Sequence, residues 1–123
     1  MKPIQLNNEV LQNLYGDCEE SKSEVFQEFL STYSDLKKNL FAAYEEGNLE
    51  SMKSLLHYHG PSFMYLGVPD VADAFKKMEQ RCGTTRNHHS VSGEFFNLLQ
   101  MVDDTWLQVY NYTMYYKKES HAA

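Results

Sequence analysis

The chain has 123 residues, 42% of them apolar and 23% charged, which is enough for one globular domain with its own core. Its net charge of −6 and the lack of a long basic run argue against nucleic acid as a partner. No apolar run approaches the roughly 20 residues of a transmembrane helix, and the N-terminus lacks the apolar stretch of a signal peptide. We therefore expect a single domain over residues 1–123, cytoplasmic and not inserted in a membrane. Cys18 and Cys82 match no zinc or redox motif, so we expect reduced thiols.

The first two predicted elements are a short helix and a long one. The asparagines at 7–8 are good helix caps, and Gly16 ends the short helix. Ser21 and Glu24 form a capping box that predicts the start of the long helix. Apolar residues then recur at helical spacing for about six turns, until Gly47.

A third helix is predicted from Asn48 to Gly67, with His57 in its middle. Pro61 lies inside this helix, where it removes one hydrogen-bond donor and crowds the carbonyl of His57. We therefore expect a kink in the helix next to His57.

His57 and His59 point to opposite sides of this helix, because residues two apart differ by about 200°. The apolar face predicted to be buried consists of Met52, Leu55, Leu56, His59, Phe63 and Leu66. His59 is thus expected to pack in the core and hold a hydrogen bond. The outward face carries His57 with Lys53 and Gly60, and Gly60 is expected to leave open space beside the imidazole. An exposed imidazole that is neutral near pH 7 is a competent nucleophile.

Two more helices complete the pattern. Pro69 suits the first turn of a helix that ends at Gly83. Positive residues in its later part are expected to lie near His57, namely Lys76, Lys77 and Arg81. A polar loop follows, and a last helix rich in tyrosine starts near Ser92 and frays after Glu119.

No segment alternates with the period of a β-strand, so the chain is predicted to be all-α. Short connections force neighbouring helices to run antiparallel. The predicted fold is an up-down-up-down four-helix bundle with a short additional N-terminal helix.

The segment from His57 to Gly67 resembles the motif of the histidine-containing phosphotransfer (HPt) domain, His-x-Leu-Lys-Gly-Ser-Ser-x-x-Leu-Gly. Counted from His57, the matching positions are Ser62, Leu66 and Gly67. One branch of that family has Pro-Ser-Phe after the lysine, and Pro61 begins the same three residues here. The helix order from about residue 8 to residue 118 also fits the family.

Further along the chain, Glu79 falls where the family has a glutamate or glutamine that closes the next helix. Two positions depart from the motif: Gly60 stands in place of the lysine, and His59 in place of the leucine. The family's lysine helps with phosphate charge and partner docking. We therefore expect that Gly60→Lys would modestly speed phosphorylation.

The resemblance implies a phosphoryl carrier in a multistep phosphorelay and not a self-sufficient enzyme. A response-regulator receiver domain would donate phosphoryl from its aspartate to His57, and another receiver would take it back. A hybrid sensor kinase would lie upstream. Mg²⁺ would sit in the receiver, so no cofactor is expected in this chain. The residues expected to support His57 are Lys53, Gly60, Pro61, Ser62, Gly67 and Glu79, with Gly60 and Pro61 permitting close approach of the partner.

Two alternatives remain open. Loss of the lysine is compatible with a docking module that binds receivers or kinases without transfer. The other alternative is a metal- or ligand-binding helical bundle. Two side chains on one helix chelate a metal when they are three or four residues apart, and His57 and His59 are two apart. His88 and His89 are interpreted as part of a solvated loop. No metal site is therefore expected.

Ser62 and the last helix are two further features of the sequence that bear on function. Ser62 has no base and acid arranged as in a catalytic triad, so its expected role is a hydroxyl near His57. The exposed aromatic residues of the last helix could mark a protein interface.

Overall fold

The structure is a computed structural model that describes the backbone of residues 3–122 and the side chains of residues 3–116. The elements in chain order are α1 (Asn8–Tyr15), α2 (Glu19–Glu45), α3 (Leu49–His59), α4 (Ser62–Tyr65), α5 (Pro69–Thr84), a 3-10 turn (His88–Val91) and α6 (Ser92–Ala122). Residues 3–122 contain no β-strand, which confirms the all-α prediction. None of the described helices is long and apolar enough to span a membrane.

The four long helical segments pack antiparallel around a square. Along α2 and α6, the pairs in contact are Phe26 with Tyr112, Tyr33 with Asp103, and Phe41 with Phe96, so rising numbers on one helix meet falling numbers on the other. Along α3 and α5, the same order holds for His57 with Glu79 and Gly60 with Phe75. The helix α2 also packs on α3, and α5 on α6, which closes the bundle.

The helix is interrupted where the kink was predicted. One continuous helix was expected across Pro61, but α3 ends at His59 and a separate short helix begins at Ser62. Pro61 has no N–H for the helical ladder, and bonds of the i, i+3 type follow it, from Phe63 N–H to the carbonyl of Gly60 and from Met64 N–H to the carbonyl of Pro61 (both 3.1 Å), while Gly60 and Pro61 keep right-handed helical dihedrals. His57 therefore lies in the last turn of α3 and not in the middle of a longer helix.

Four of the five predicted helix starts are correct: α5 begins at Pro69, α6 begins at Ser92, and asparagine side chains cap α1 and α3. Oδ1 of Asn7 accepts from the N–H of Val10 (3.1 Å), and Oδ1 of Asn48 accepts from the N–H of Ser51 (3.0 Å). The capping box predicted for α2 is wrong: Ser21 was the expected cap, but the helix begins at Glu19 and its cap position lies three residues earlier than predicted. Cys18 occupies the cap position there without a side-chain bond to the backbone.

The short helix α1 closes one end of the bundle, where α4 leads into α5. Leu11 is buried against Gly67, and the N–H of Asn7 donates to the carbonyl of Gly67 (2.7 Å). The Tyr15 hydroxyl donates to the carbonyl of Tyr65 (2.7 Å). At the other end of the chain, α6 runs to Ala122, past Glu119, where fraying was predicted.

The core of the bundle is aromatic and aliphatic. Its largest fully buried side chains include Phe26, Leu40, Met52, Leu56, Phe63, Phe75, Phe95 and Leu98. Phe63 lies between helices, with its ring 4.6 Å from that of Phe75 and 5.6 Å from that of Phe29. This packing holds α4 rigidly against α5 and α2 although α4 has only one turn.

Candidate functional site

His57 is the more exposed of the two histidines on α3, with 79% of its side chain accessible. The apolar residues of α3, Met52 and Leu56, face the core, and this places His57 on the outer surface. The outward direction predicted from helical periodicity is confirmed. Solvent and a partner protein can both reach the ring.

Glu79, on α5, holds the imidazole from one side. Its carboxylate oxygens lie 3.1 and 3.3 Å from Nδ1 of His57. An ionised carboxylate can only accept a hydrogen bond, so this contact requires a proton on Nδ1. In the neutral ring the lone pair is then on Nε2, the nitrogen that the contact with Glu79 does not occupy. The pair therefore fixes both the tautomer and the direction of the ring.

A groove of about 650 Å³ lies beside this pair, between α3, α4 and α5. Its lining is mainly apolar, from Leu56, Gly60, Pro61, Met64, Pro69 and Ala72, with Asp73, Lys76, Glu79 and Gln80 at its polar side. His57 is itself part of the lining. An apolar surface with a few polar groups beside a nucleophile is suited to a docking protein.

Gly60 does not leave open space beside His57, contrary to the prediction. It is buried, and a Cβ on it would lie 2.9 Å from the carbonyl oxygen of Leu56 and 3.1 Å from Cβ of Phe75. The absence of a side chain lets α3 and α5 approach closely at this point. Pro61, in contrast, is exposed and lines the groove.

Ser62 does not lie in the groove of His57. It lines a second groove, between α2 and the α3–α4 segment, together with His59 and Tyr58. The expected position of its hydroxyl near His57 is therefore wrong. Ser62 lies three residues after His59, a neighbouring position on a helix, and about 140° around the helix from His57. Helical periodicity continued across Pro61 therefore places it on the side of His59, where the structure has it.

Two other predicted supporting residues stabilise the scaffold at a distance from the ring. The ammonium of Lys53 lies 3.6 Å from where a Cβ on Gly83 would be, so it points to the C-terminal turn of α5, where a positive charge is favourable. Gly67 has φ +79° and receives α1, with a Cβ there only 2.7 Å from Leu11. Its role is the turn between α4 and α5.

His59 is half-buried beneath the second groove. Desolvation by the surrounding side chains lowers the pKa of its imidazole. Its ring packs edge-on against Tyr58, 4.9 Å between centroids. The predicted packing role agrees with this position, whereas the described residues offer its ring nitrogens no hydrogen bond.

The positive residues of α5 are divided between the groove and ion pairs. Lys77 forms an ion pair with Asp73 (3.0 Å), and Arg81 reaches Glu94 on α6 (3.2 Å). Lys76 is exposed and lines the groove. Of the three positive residues, Lys76 is the one that lines the groove beside His57.

Sequence reasoning missed four groove residues on α5, namely Pro69, Ala72, Asp73 and Gln80. They lie one step around the helix from the inner face, which Val71 and Phe75 occupy. The spacing 69, 72, 76 and 79–80 is a helical stripe and was available as a signal. The stripe points to the groove only when α5 is placed beside His57, and the sequence does not give that placement.

Chemically, the site combines one oriented, exposed imidazole with a carboxylate and a mainly apolar groove. Among the described residues, no group of three or more His, Cys, Asp or Glu side chains is arranged to hold a metal ion. No protein-family model, curated protein or solved structure matches this chain.

Proposed function

We propose that this protein is a histidine phosphotransfer carrier, with His57 as the residue that accepts phosphoryl from one receiver domain and returns it to another. The observation that carries the proposal is the His57–Glu79 pair: an imidazole 79% exposed, with Nδ1 held 3.1 Å from a carboxylate oxygen, beside a mainly apolar groove. The resemblance of residues 57–67 to the HPt motif supports the same assignment.

The transfer is an in-line displacement at phosphorus. The lone pair of Nε2 forms the P–N bond while the P–O bond to the receiver's aspartate breaks, and the aspartate leaves as a carboxylate. The ring keeps the proton on Nδ1 and becomes cationic, and the carboxylate of Glu79 stabilises this charge. The reverse displacement hands phosphoryl to the aspartate of a second receiver. Because Mg²⁺ and the remaining charged groups belong to the receiver, the bundle contributes position and orientation.

Docking is supported by the composition of the groove. Met64 is 42% exposed, and together with Pro61 and Ala72 it offers an apolar surface next to the nucleophile. Lys76 is the positive side chain on this surface. In this proposal a receiver lays an apolar helix face on the groove, and Lys76 offsets part of the charge of the transferring phosphoryl group.

Transfer from a panel of phosphorylated receivers, including receivers of hybrid sensor kinases, tests the proposal. The parent chain is expected to gain label from at least one receiver, in a form labile to acid and stable to base, as phosphohistidine is. His57→Gln should gain none. His59→Leu is the matched control, since it removes the neighbouring histidine from the same helix, and it should accept label like the parent. Equal labelling of His57→Gln and the parent would place the acceptor elsewhere.

A docking module without transfer is the second candidate, and Gly60 is the observation that favours it. The position where the HPt motif has its lysine is buried here against Phe75, so the usual positive charge cannot be presented from it. A receiver that binds the parent and His57→Gln equally, but labels neither, would favour this candidate over transfer.

A further inference from the structure

The second groove, between α2 and the α3–α4 segment, reaches down to the core of the bundle. Its volume is about 650 Å³. Small-molecule sites in proteins have volumes of roughly 300–1,000 Å³, so the groove has the size of such a site. Its floor is formed by apolar lining residues that are buried, namely Phe29, Leu36, Phe63 and Leu66. The groove can therefore receive the apolar body of a small molecule.

Aromatic side chains stand at the rim of this groove. Tyr58 is 78% exposed and Tyr65 is 52% exposed, and both line the groove. The ring of Tyr58 meets that of His59 nearly at a right angle (86°), so the two rings form a corner. The face of a tyrosine ring attracts a cation, and groups of aromatic rings are used to recognise ammonium ligands.

Glu28 gives the second groove a negative charge. Among the described residues that line the groove, it is the only Asp, Glu, Lys or Arg. Its carboxylate forms no ion pair with any side chain among residues 3–116. His59 adds no positive charge near pH 7, because burial lowers the pKa of its ring. A ligand in this groove therefore meets one uncompensated carboxylate.

The groove of His57 differs in this respect. Its two carboxylates already have partners, since Glu79 holds the ring of His57. Asp73 forms an ion pair with Lys77, and Lys76 adds a positive charge to the lining. A cation is therefore attracted more strongly to the second groove than to the groove of His57.

From these features we propose that the second groove binds a small organic cation with an aromatic body, of the arylalkylammonium class. The body packs on the rings of Phe29 and Phe63, which are themselves in edge contact at 5.6 Å. The ammonium group lies between the ring of Tyr58 and the carboxylate of Glu28. A ring nitrogen of His59 accepts a hydrogen bond from it, because the described residues offer those nitrogens no other partner.

Titration of the full chain with phenethylammonium tests the proposal, with backbone amide signals followed by NMR. A ligand of this size is expected to bind with a Kd on the order of 1–10 mM. The signals of Thr32 and Ser62, which line the second groove, should shift, whereas that of Gln80 in the groove of His57 should not.

Two analogues with the same aromatic body isolate the contribution of charge. The neutral 2-phenylethanol should bind roughly 3- to 30-fold more weakly than phenethylammonium, since it loses the ion pair and the attraction to the tyrosine ring. The anionic 3-phenylpropionate should bind more weakly still, because Glu28 repels it.

Glu28→Gln should weaken binding of phenethylammonium by roughly 2- to 5-fold and leave 2-phenylethanol unchanged. Glu20→Gln is the matched control: it removes the same charge from an exposed position about two turns earlier on α2, outside the groove, and should bind like the parent. Tyr58→Leu keeps an apolar side chain but removes the ring, and should cost roughly 2- to 5-fold. His57→Gln should bind like the parent, because the site does not depend on phosphoryl transfer.

Three results would overturn the proposal. The first is the absence of shifts at Thr32 and Ser62 with phenethylammonium up to about 50 mM, where a ligand of the expected affinity is mostly bound. The second is equal affinity for phenethylammonium and 2-phenylethanol, which would show that the groove does not select a cation. The third is a Glu28→Gln chain that binds phenethylammonium as tightly as the parent.

Discussion

At the scale of single residues, Glu79 determines which ring nitrogen of His57 stays free. Its carboxylate accepts a hydrogen bond from Nδ1–H, with 3.1 Å between Nδ1 and Oε2, and Nε2 is left outside this contact. Without that contact the ring can adopt the other tautomer and other rotamers. The imidazole would then be accessible, but its Nε2 would point outward only part of the time.

We predict that Glu79→Ala slows phosphoryl transfer to His57 by roughly 10- to 100-fold, the range found when a side chain that orients a metal-binding histidine is lost. Glu79→Gln should lose less, because its amide oxygen can still accept a hydrogen bond from Nδ1–H. Initial rates of transfer from one phosphorylated receiver measure the difference. An alanine variant as fast as the parent would show that orientation of the ring by residue 79 is unimportant.

Gly60 reverses an expectation drawn from the sequence. A lysine at this position was expected to speed transfer, but a Cβ there would lie 2.9 Å from a backbone oxygen and 3.1 Å from Phe75. We predict that Gly60→Lys destabilises the fold by about 1–3 kcal/mol, because α3 and α5 must separate. Urea unfolding of Gly60→Lys and the parent measures this loss. An unchanged unfolding midpoint would contradict it.

A matched variant separates charge from packing. Gln80→Lys adds the same charge at an exposed position that lines the groove of His57. Since an exposed charge pair contributes only about 0.2–1 kcal/mol, we expect a modest increase in transfer rate that shrinks at high salt. Transfer rates at low and high salt provide the measurement, and a decrease in rate at low salt would show that added positive charge on this groove does not assist transfer.

At the scale of helices, the turn between α4 and α5 depends on Gly67. Its φ of +79° is unfavourable for other residues, and Leu11 of α1 occupies the space where a Cβ would be. One residue therefore sets both the direction of α5 and the attachment of α1. It also keeps Pro69 at the start of α5, on the edge of the groove.

We predict that Gly67→Ala lowers the free energy of unfolding by about 2–4 kcal/mol, the sum of backbone strain and the collision with Leu11. Gly16→Ala is the control, because Gly16 also has a positive φ (+56°) but no atom within 4 Å of the added Cβ. It should cost only about 1–2 kcal/mol. Chemical denaturation of both variants supplies the comparison, and equal losses would remove the contact with Leu11 from the explanation.

At the scale of the whole molecule, His59 links stability to pH. Burial lowers the pKa of its ring below the value of 6.5 that it has in the unfolded chain. As the pH falls below about 6.5, the unfolded chain therefore binds a proton at this residue more readily than the folded chain does. The free energy of unfolding decreases between about pH 6.5 and the lower pKa of the folded state. Above about pH 6.5 this residue does not change it.

We predict that His59→Leu is less sensitive to acid than the parent. The difference in unfolding free energy between about pH 7.5 and pH 5 should be smaller in the variant, since the group that resists protonation is gone. Urea denaturation at several pH values measures this difference. If the two proteins lost the same free energy over this range, His59 would not be the source of the dependence.

The sequence alone determined those features of this protein that are set within one helix. The period of apolar residues placed His57 outside and His59 inside, and the side chains of Asn7 and Asn48 marked helix starts, because a helix is built from contacts three and four residues apart. Gly47 and Gly67 likewise marked helix ends, since both need a positive φ. These local rules were sufficient for the all-α bundle.

Only the tertiary structure decided which helix faces which, and in what register. It brought Glu79 against His57 from 22 residues away, and it buried Gly60 against Phe75. The physical reason is that the register between two helices depends on how all their side chains interlock, whereas periodicity describes each helix separately.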